Sequence, residues 1–266
     1  MSTATIDPTA RRVPPMGGFS LKVLGIELRR MLRNRRTIIF TLVFPTAMFF
    51  VFGSGNSGSE KLGGSAAPGS NVSAYVMVSM ALYGGALIAA SGGAMVAVER
   101  ALGWSRQLRL TPLNPVAYIM IKALVALSMA GLAVAVVNVV GVLKGQPQMP
   151  TSTWIACIFT TLACTMTFAA LGVFIGYLVP GENVMQILGP GLALLSFLGG
   201  LFIPLDQYSD SIRMIAYWTP MYGVAEVARA PLTHELPWYA IVNAVFWLGL
   251  FVAGAAWRMS KDTARV

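Results

Sequence analysis

Long apolar runs alternate with short polar breaks along most of this chain. Apolar stretches cover about 37–52, 72–98, 116–143, 154–179, 184–203 and 238–257. A helix of about 20 apolar residues reaches about 30 Å, the thickness of the hydrocarbon core. The pattern predicts an all-α polytopic membrane protein with six transmembrane helices. Pro45 lies inside the first, short run, which Arg33, Arg35 and Arg36 extend by snorkelling. A kink is expected in the fifth at Gly189-Pro190. Trp238 and Trp257 bracket the sixth, as interfacial anchors do. Gly85, Ala89 and Gly93 recur every four residues in the second, a spacing that lets helix backbones approach; packing within one subunit is the expected use.

Residues 1–18 read as a flexible tail, and 19–266 as one transmembrane domain. The stretch 19–36, FSLKVLGIELRRMLRNRR, places Leu21, Leu24, Leu28, Met31 and Leu32 at helical spacing, with Lys22, Arg29, Arg30, Arg33 and Arg36 on the remaining faces. That predicts an amphipathic helix lying in the headgroup layer of the bilayer. At the other end of the chain, residues 204–236 are too long for a tight turn. Pro204, Asp206, Asp210, Arg213, Pro220 and Pro231 interrupt them too often for a seventh crossing. Irregular backbone survives at membrane depth only when buried in protein or lining a cavity. A re-entrant extracellular hairpin is therefore expected between the fifth and sixth spans, capping an exit path, with Tyr217, Trp218 and Tyr222 as an interface-level plug.

Composition agrees: 56% of residues are apolar and 11% charged, where soluble domains carry about 25% charged residues. The net charge of +9 would suggest nucleic acid in a soluble protein; here it follows from the basic loops of a membrane protein, and no nucleic-acid partner is expected. With an even number of spans both termini share a side. That side collects 15 of the 19 Lys and Arg; Lys61, Lys144, Arg213 and Arg229 fall opposite. The bias places both termini in the cytoplasm, Ser57 and Ser65 outside, and Ser105 inside. No apolar signal segment occurs in the first 36 residues.

Candidate chemistry is sparse. Cys157 and Cys164 would lie about 10 Å apart along a helix, too far to bridge, and read as packing residues. Neither they nor His234 suggest a metal site, and no catalytic residue is expected. The absence of any Gly-Lys dipeptide excludes a phosphate-binding loop. Lys122 is the one charge expected inside the spans, which argues against an ion-coupled carrier and for energy taken from a partner. An intramembrane enzyme would need paired His, Asp or Glu in the spans, and none is there.

The informative stretch is VERALGWSRQLRLTPLNP, residues 98–115. It is longer than a connector needs, and a short helix from Leu102 to Leu110 is expected, ended by Thr111-Pro112. Trp104, Leu108 and Leu110 give it apolar surface that a soluble ATPase would grip. Glu99, Arg100, Gly103, Gln107, Leu108, Thr111, Pro112, Leu113 and Lys122 resemble, in order, the signature that ABC-2 transporter membrane subunits carry after their second span. The chain departs from it at Ala101 and Trp104. GGLFIPLDQYSDSIRMIAYWTPMYGVAEVAR, residues 199–229, resembles that family's extracellular segment, with Pro204, Pro220 and Arg229 at matching positions.

The resemblance, nearest to the daunorubicin and multidrug efflux branch, implies a permease subunit that exports an amphipathic drug-like or lipid-like compound. It implies a second permease copy as a homodimer partner and two ATP-binding-cassette subunits. ATP and Mg would be held by those ATPases and no cofactor by this chain. Glu99, Arg100, Gly103, Leu108, Thr111 and Pro112 would then couple to the ATPase. Pro204, Pro220, Gly223, Glu226 and Arg229 would form the extracellular gate, where Glu226 and Arg229 are spaced to pair along a helix. A polysaccharide or lipid-carrier exporter of the same fold is the alternative, although the spans hold few of the aromatic and polar groups a sugar path needs. A non-transport signalling or structural membrane protein is the other.

Overall fold

The computed structural model describes residues 19–103, 115–181 and 183–263. Among them the chain forms nine α-helices and no strand; an isolated bridge joins Lys61 to Asn71. The helices are α1 Leu21–Arg33, α2 Arg35–Gly53, α3 Val72–Ala101, α4 Pro115–Lys144, α5 Thr151–Leu178, α6 Val184–Leu198, α7 Asp210–Tyr217, α8 Pro220–Thr233 and α9 Trp238–Thr263.

The Ser20 hydroxyl caps α1 by accepting the Lys22 amide at 3.2 Å. The helix breaks at Asn34, and α1 and α2 meet at 64°. Leu24, Leu28 and Met31 pack with Phe19 on a cluster from α3 and α4 that includes Ile88, Ile121 and Val125, whereas Leu21 and Leu32 stay exposed. The expected amphipathic helix is thus present, with its apolar stripe divided between the bundle and its outer surface.

Helix α3 is the centre. Its N-terminus is capped by Asn71, whose Oδ1 accepts the Ala74 amide at 3.0 Å. It packs against α2, α4, α5, α6 and α8. In its most apolar window 83% of residues are buried, against 11% in α9, so α3 is shielded and α9 turns most of its surface outward. Exposed apolar residues such as Phe40, Val43, Val139, Phe159, Leu194, Val245 and Phe246 are spread over α2, α4, α5, α6 and α9. A belt of that kind needs lipid around it.

Close helix approach follows from the small residues. A Cβ placed on Gly172 would sit 2.0 Å from the Ala90 carbonyl oxygen, and one on Gly93 would sit 2.4 Å from that of Ala169. A Cβ on Gly85 would meet the side chains of Thr165 at 2.7 Å and of Val134 at 3.3 Å. The four-residue repeat is therefore used inside this chain, between α3 and α5, as expected. Cys157 and Cys164 are both buried thiols in α5. Pro45 rests against Gly84 of α3, and Pro190 sits within one continuous α6.

Two expectations about the spans change. Helices α3, α4, α5 and α9 are long and apolar enough to cross a membrane; α2 qualifies only as a bent pair with α1. The fifth run forms a helix of 15 residues, not a span to Ile203. Gly200 takes φ +74°, Leu201 donates to the Ser196 carbonyl at 3.0 Å and Gly200 to that of Phe197 at 3.2 Å. This paired closure around a left-handed glycine ends a helix whatever the hydropathy beyond it. The second run continues past Val98 to Ala101, which brings Glu99 inside the helix.

The α3–α5 crossing gives a test. Gly172→Ala forces the helices apart and lowers stability by about 1–3 kcal/mol. Gly189→Ala, whose Cβ meets open space inside α6, is neutral or stabilising. Thermal unfolding of the two variants in detergent checks the contrast; equal behaviour would mean the crossing tolerates separation.

Candidate functional site

Two polar clusters sit at opposite ends of α3. At its C-terminal end the Glu99 carboxylate is 3% exposed and has three partners. Its Oε1 accepts Lys122 Nζ at 2.5 Å and Arg30 Nη1 at 2.8 Å, and its Oε2 accepts the Tyr118 hydroxyl. Lys122, 5% exposed, also donates to Glu27 Oε2 at 2.8 Å, and Arg30 lies 3.6 Å from Glu27 Oε1. Glu27 and Arg30 come from α1, and Tyr118 and Lys122 from the first turns of α4. Two carboxylates thus meet two cations across three helices. An unpaired charge there would cost several kcal/mol, so the four hold one another in register.

This cluster was only half visible in the sequence. Lys122 stands out as a charge within an apolar run, and Glu99 as part of a signature. Glu27, Arg30 and Tyr118 do not stand out, although Glu27 is the one acid in the basic stretch 19–36. A lone acid among six cations, in a stretch whose helix packs against the bundle, was the available signal.

Arg100 points elsewhere, its guanidinium 5.0 Å from the centre of the Tyr177 ring. Gly103 takes φ +72° and its amide donates to the Arg100 carbonyl at 3.0 Å, closing α3. Leu102 and Gly103 therefore form a turn and not the start of the expected 102–110 helix: only glycine adopts this conformation at low cost. Leu108, Thr111 and Pro112, with Trp104 and Ser105, lie outside the described residues.

At the opposite end Arg229 of α8 is 2% exposed. Its Nη2 donates to Glu226 Oε1 at 2.6 Å, and its Nη1 to the Gly200 carbonyl at 3.0 Å and to Ser79 Oγ at 3.3 Å. The guanidinium lies 4.6 Å from the centre of the Tyr75 ring. The expected pairing of Glu226 with Arg229 is present, but it is no weak exposed ion pair. Arg229 ties α8 to α3 and to the end of α6. The reason lies in α8, whose Met221, Val224, Ala225, Ala228 and Leu232 are all buried and carry Arg229 inward with them.

The remaining residues of this end divide. Pro220 is the first residue of α8, where a missing amide hydrogen costs nothing. Gly223 lies against α9: its amide donates to Asn243 Oδ1 at 3.3 Å, and a Cβ on it would sit 2.5 Å from the Ala240 carbonyl oxygen. Pro204 opens a short 3-10 turn, Leu205–Gln207, which Arg213 braces through the Leu205, Asp206 and Tyr208 carbonyls. Tyr222 and Tyr239 stack, Tyr217 meets both edge to face, and Trp218 is exposed. His234 caps α8 in the left-handed conformation. No three His, Cys, Asp or Glu side chains gather to hold a metal among the described residues.

The two clusters thus flank an apolar bundle, the more basic one joined to the 98–115 segment. The sequence pattern of the ABC-2 type transporter family matches residues 23–233. The chain belongs to that family. The region of similarity runs from α1 to the end of α8 and so takes in both clusters. The chain is also similar to "Putative transport permease YvfS" of Bacillus subtilis (strain 168), at 25% identity over 242 residues, covering 90% of this chain and 96% of the relative. As an ABC-2 permease it is a multi-pass membrane component of an ABC transporter, a family that normally pairs with a separate ATP-binding subunit.

The basic-end cluster makes a quantitative prediction. Lys122→Met leaves Glu99 and Glu27 without their shared cation and lowers stability by about 3–5 kcal/mol. Adding Glu99→Gln to the same chain recovers a large part of that loss, because the stranded charge goes with it. A double-mutant cycle on unfolding in detergent measures the coupling; additive effects would mean the two side chains do not interact.

Proposed function

We propose that this ABC-2 permease exports an amphipathic, drug-like or lipid-like compound from the cytoplasm, powered by ATP hydrolysed on two partner ATPase subunits. Two copies of the chain pair, and cargo leaves between them. The chain crosses the membrane six times, through α2, α3, α4, α5, α6 and α9, with both termini in the cytoplasm. Support for the six crossings comes from alternation: Gly181, just before α6, lies against Ala97 of α3, and Gly200, just after it, is held by Arg229 at the far end. Snorkelling residues and local thinning of the bilayer accommodate a short helix.

One observation carries the reading. Within the segment 98–115 the chain leaves α3 at Ala101, two residues after Glu99, whose carboxylate sits in the cluster that also holds α1 and α4. Any push on that segment is delivered to three helices together. Leu108, Thr111 and Pro112 receive the push from the ATPase, Gly103 turns the chain out of α3, and Glu99 passes the displacement on, with Arg100 bracing α5 through Tyr177. At the far end Pro204, Pro220, Gly223, Glu226 and Arg229 belong to a re-entrant pair, α7 and α8, that closes the exit. The sparse polar groups along the bundle favour an amphipathic cargo over a sugar chain.

Reconstitution with the cognate ATPase tests the coupling role. Leu108→Asp places a charge on the apolar contact and abolishes ATP-driven export while the permease still inserts; unchanged ATPase association and export would reduce 98–115 to a linker. The gate has its own signature. Gly223→Ala pushes α8 off α9 and raises ion leak through the resting transporter without changing its amount in the membrane. A leak equal to that of the unaltered protein would remove Gly223 from the gate.

A further inference from the structure

Beside the Glu99 cluster lies a cavity of about 170 Å³, bounded by α1, α2, α3, α4 and the start of α6. Its lining combines the charged Glu27, Arg30, Glu99 and Lys122 with apolar side chains, among them Met31, Met95 and Met185. At about 30 Å³ per water-sized group, it holds roughly five or six such groups. That is enough for a small polar head and the first atoms of an attached chain.

The charge arrangement decides which head fits. Both carboxylates are taken. Glu99 accepts from Lys122, Arg30 and Tyr118, and Glu27 accepts from Lys122. A cationic head would have to displace these partners. Arg30 is different: its contacts with Glu99 and Glu27 use Nη1, its side chain is 42% exposed, and a guanidinium carries five N–H donors in a planar fork. Nη2 and Nε therefore remain to grip an oxyanion, a geometry that suits carboxylate and phosphate. The field agrees, since Arg29, Arg33 and Arg35 flank the same break between α1 and α2. The unbranched methionines of the lining adapt to chains of varied shape.

We propose that this cavity is a loading site for cargo, and that the cargo is a single-chain amphiphile with one anionic group, held by Arg30 with its chain against Met31, Met95 and Met185. This deepens the exporter reading by naming the class of cargo, and it rests on that reading only for the direction of movement. Occupancy at Arg30 also places cargo in contact with the cluster attached to the 98–115 segment, so a loaded and an empty permease present different surroundings to Glu99.

Binding is measured on the full-length permease in phosphatidylcholine nanodiscs, without ATP or ATPase, using labelled dodecyl phosphate. Dodecylphosphocholine and dodecyltrimethylammonium serve as zwitterionic and cationic competitors. The expected result is saturable binding of the phosphate, with competitors at least about tenfold weaker and an Arg30→Gln variant weaker by a similar factor, the loss of one charge-assisted hydrogen-bonding group. Because Arg30→Gln also loosens the cluster, a second variant acts through an uncharged lining residue: Met95→Trp fills the cavity, leaves all the charges in place and abolishes binding. Equal affinity for the three head groups, or affinity unchanged in Met95→Trp, overturns the proposal. Displacement of the label by phosphatidylglycerol in the nanodisc also overturns it, assigning the cavity to a resident bilayer lipid. If binding follows the expected pattern but the complex moves no label on adding ATP, the exporter reading fails and the anion site stands.

Discussion

Glu99 is the constraint around which this permease is arranged. A carboxylate that is almost fully buried at the end of an apolar helix is stable only if it is given countercharges and hydrogen bonds. Lys122, Arg30 and Tyr118 supply them, from two other helices. The consequence is geometric. Helix α1 cannot drift away from the bundle without stranding Glu99, and α4 cannot slide along α3 without separating Lys122 from both carboxylates. Apolar packing draws the same helices together but tolerates sliding far better than a set of short ionic contacts does.

Helix α3 carries that constraint across the membrane. Ser79 and Glu99 are twenty residues apart, about 30 Å along a helix, close to the thickness of the hydrocarbon core. One end is fixed by the Glu99 cluster and the other touches Arg229, which in turn holds α8 and the close of α6. Between the ends, Gly93 and Gly172 seat α3 against α5 at backbone distance, leaving little room for bending there. In the proposed coupling, a displacement applied near Glu99 reaches the residues around Arg229 through α3, the helix that both clusters share.

Much of this was legible from periodicity. Apolar runs locate the four helices long and apolar enough to cross a membrane, α3, α4, α5 and α9, together with the apolar α2 and the shorter α6, and the basic stretch 19–36 announces α1 through its helical spacing. The small-residue repeat at Gly85 and Gly93 is a packing signal that holds. Hydropathy failed where backbone geometry overrode it. Leu201, Phe202 and Ile203 continue the apolar run, yet α6 has already been closed by Gly200. It failed again where partners are distant in sequence. Glu27 and Glu99 are far apart, and neither reads as buried until tertiary packing brings Lys122 between them. Arg229 is the same case: on a hydropathy count it is an outward loop cation, and only the burial of its helix shows it to be an interior tie.

The central claim is that the Glu99 cluster transmits work. Its most direct test uses the variant that removes the buried Glu99–Lys122 pair and leaves Glu27 and Arg30 to each other, Glu99→Gln combined with Lys122→Met, in proteoliposomes with the ATPase partner. The quantity to measure is cargo exported per ATP hydrolysed. The account predicts a stable complex that still hydrolyses ATP but exports far less cargo for each ATP. A ratio equal to that of the unaltered transporter would contradict it and leave the cluster a purely architectural feature.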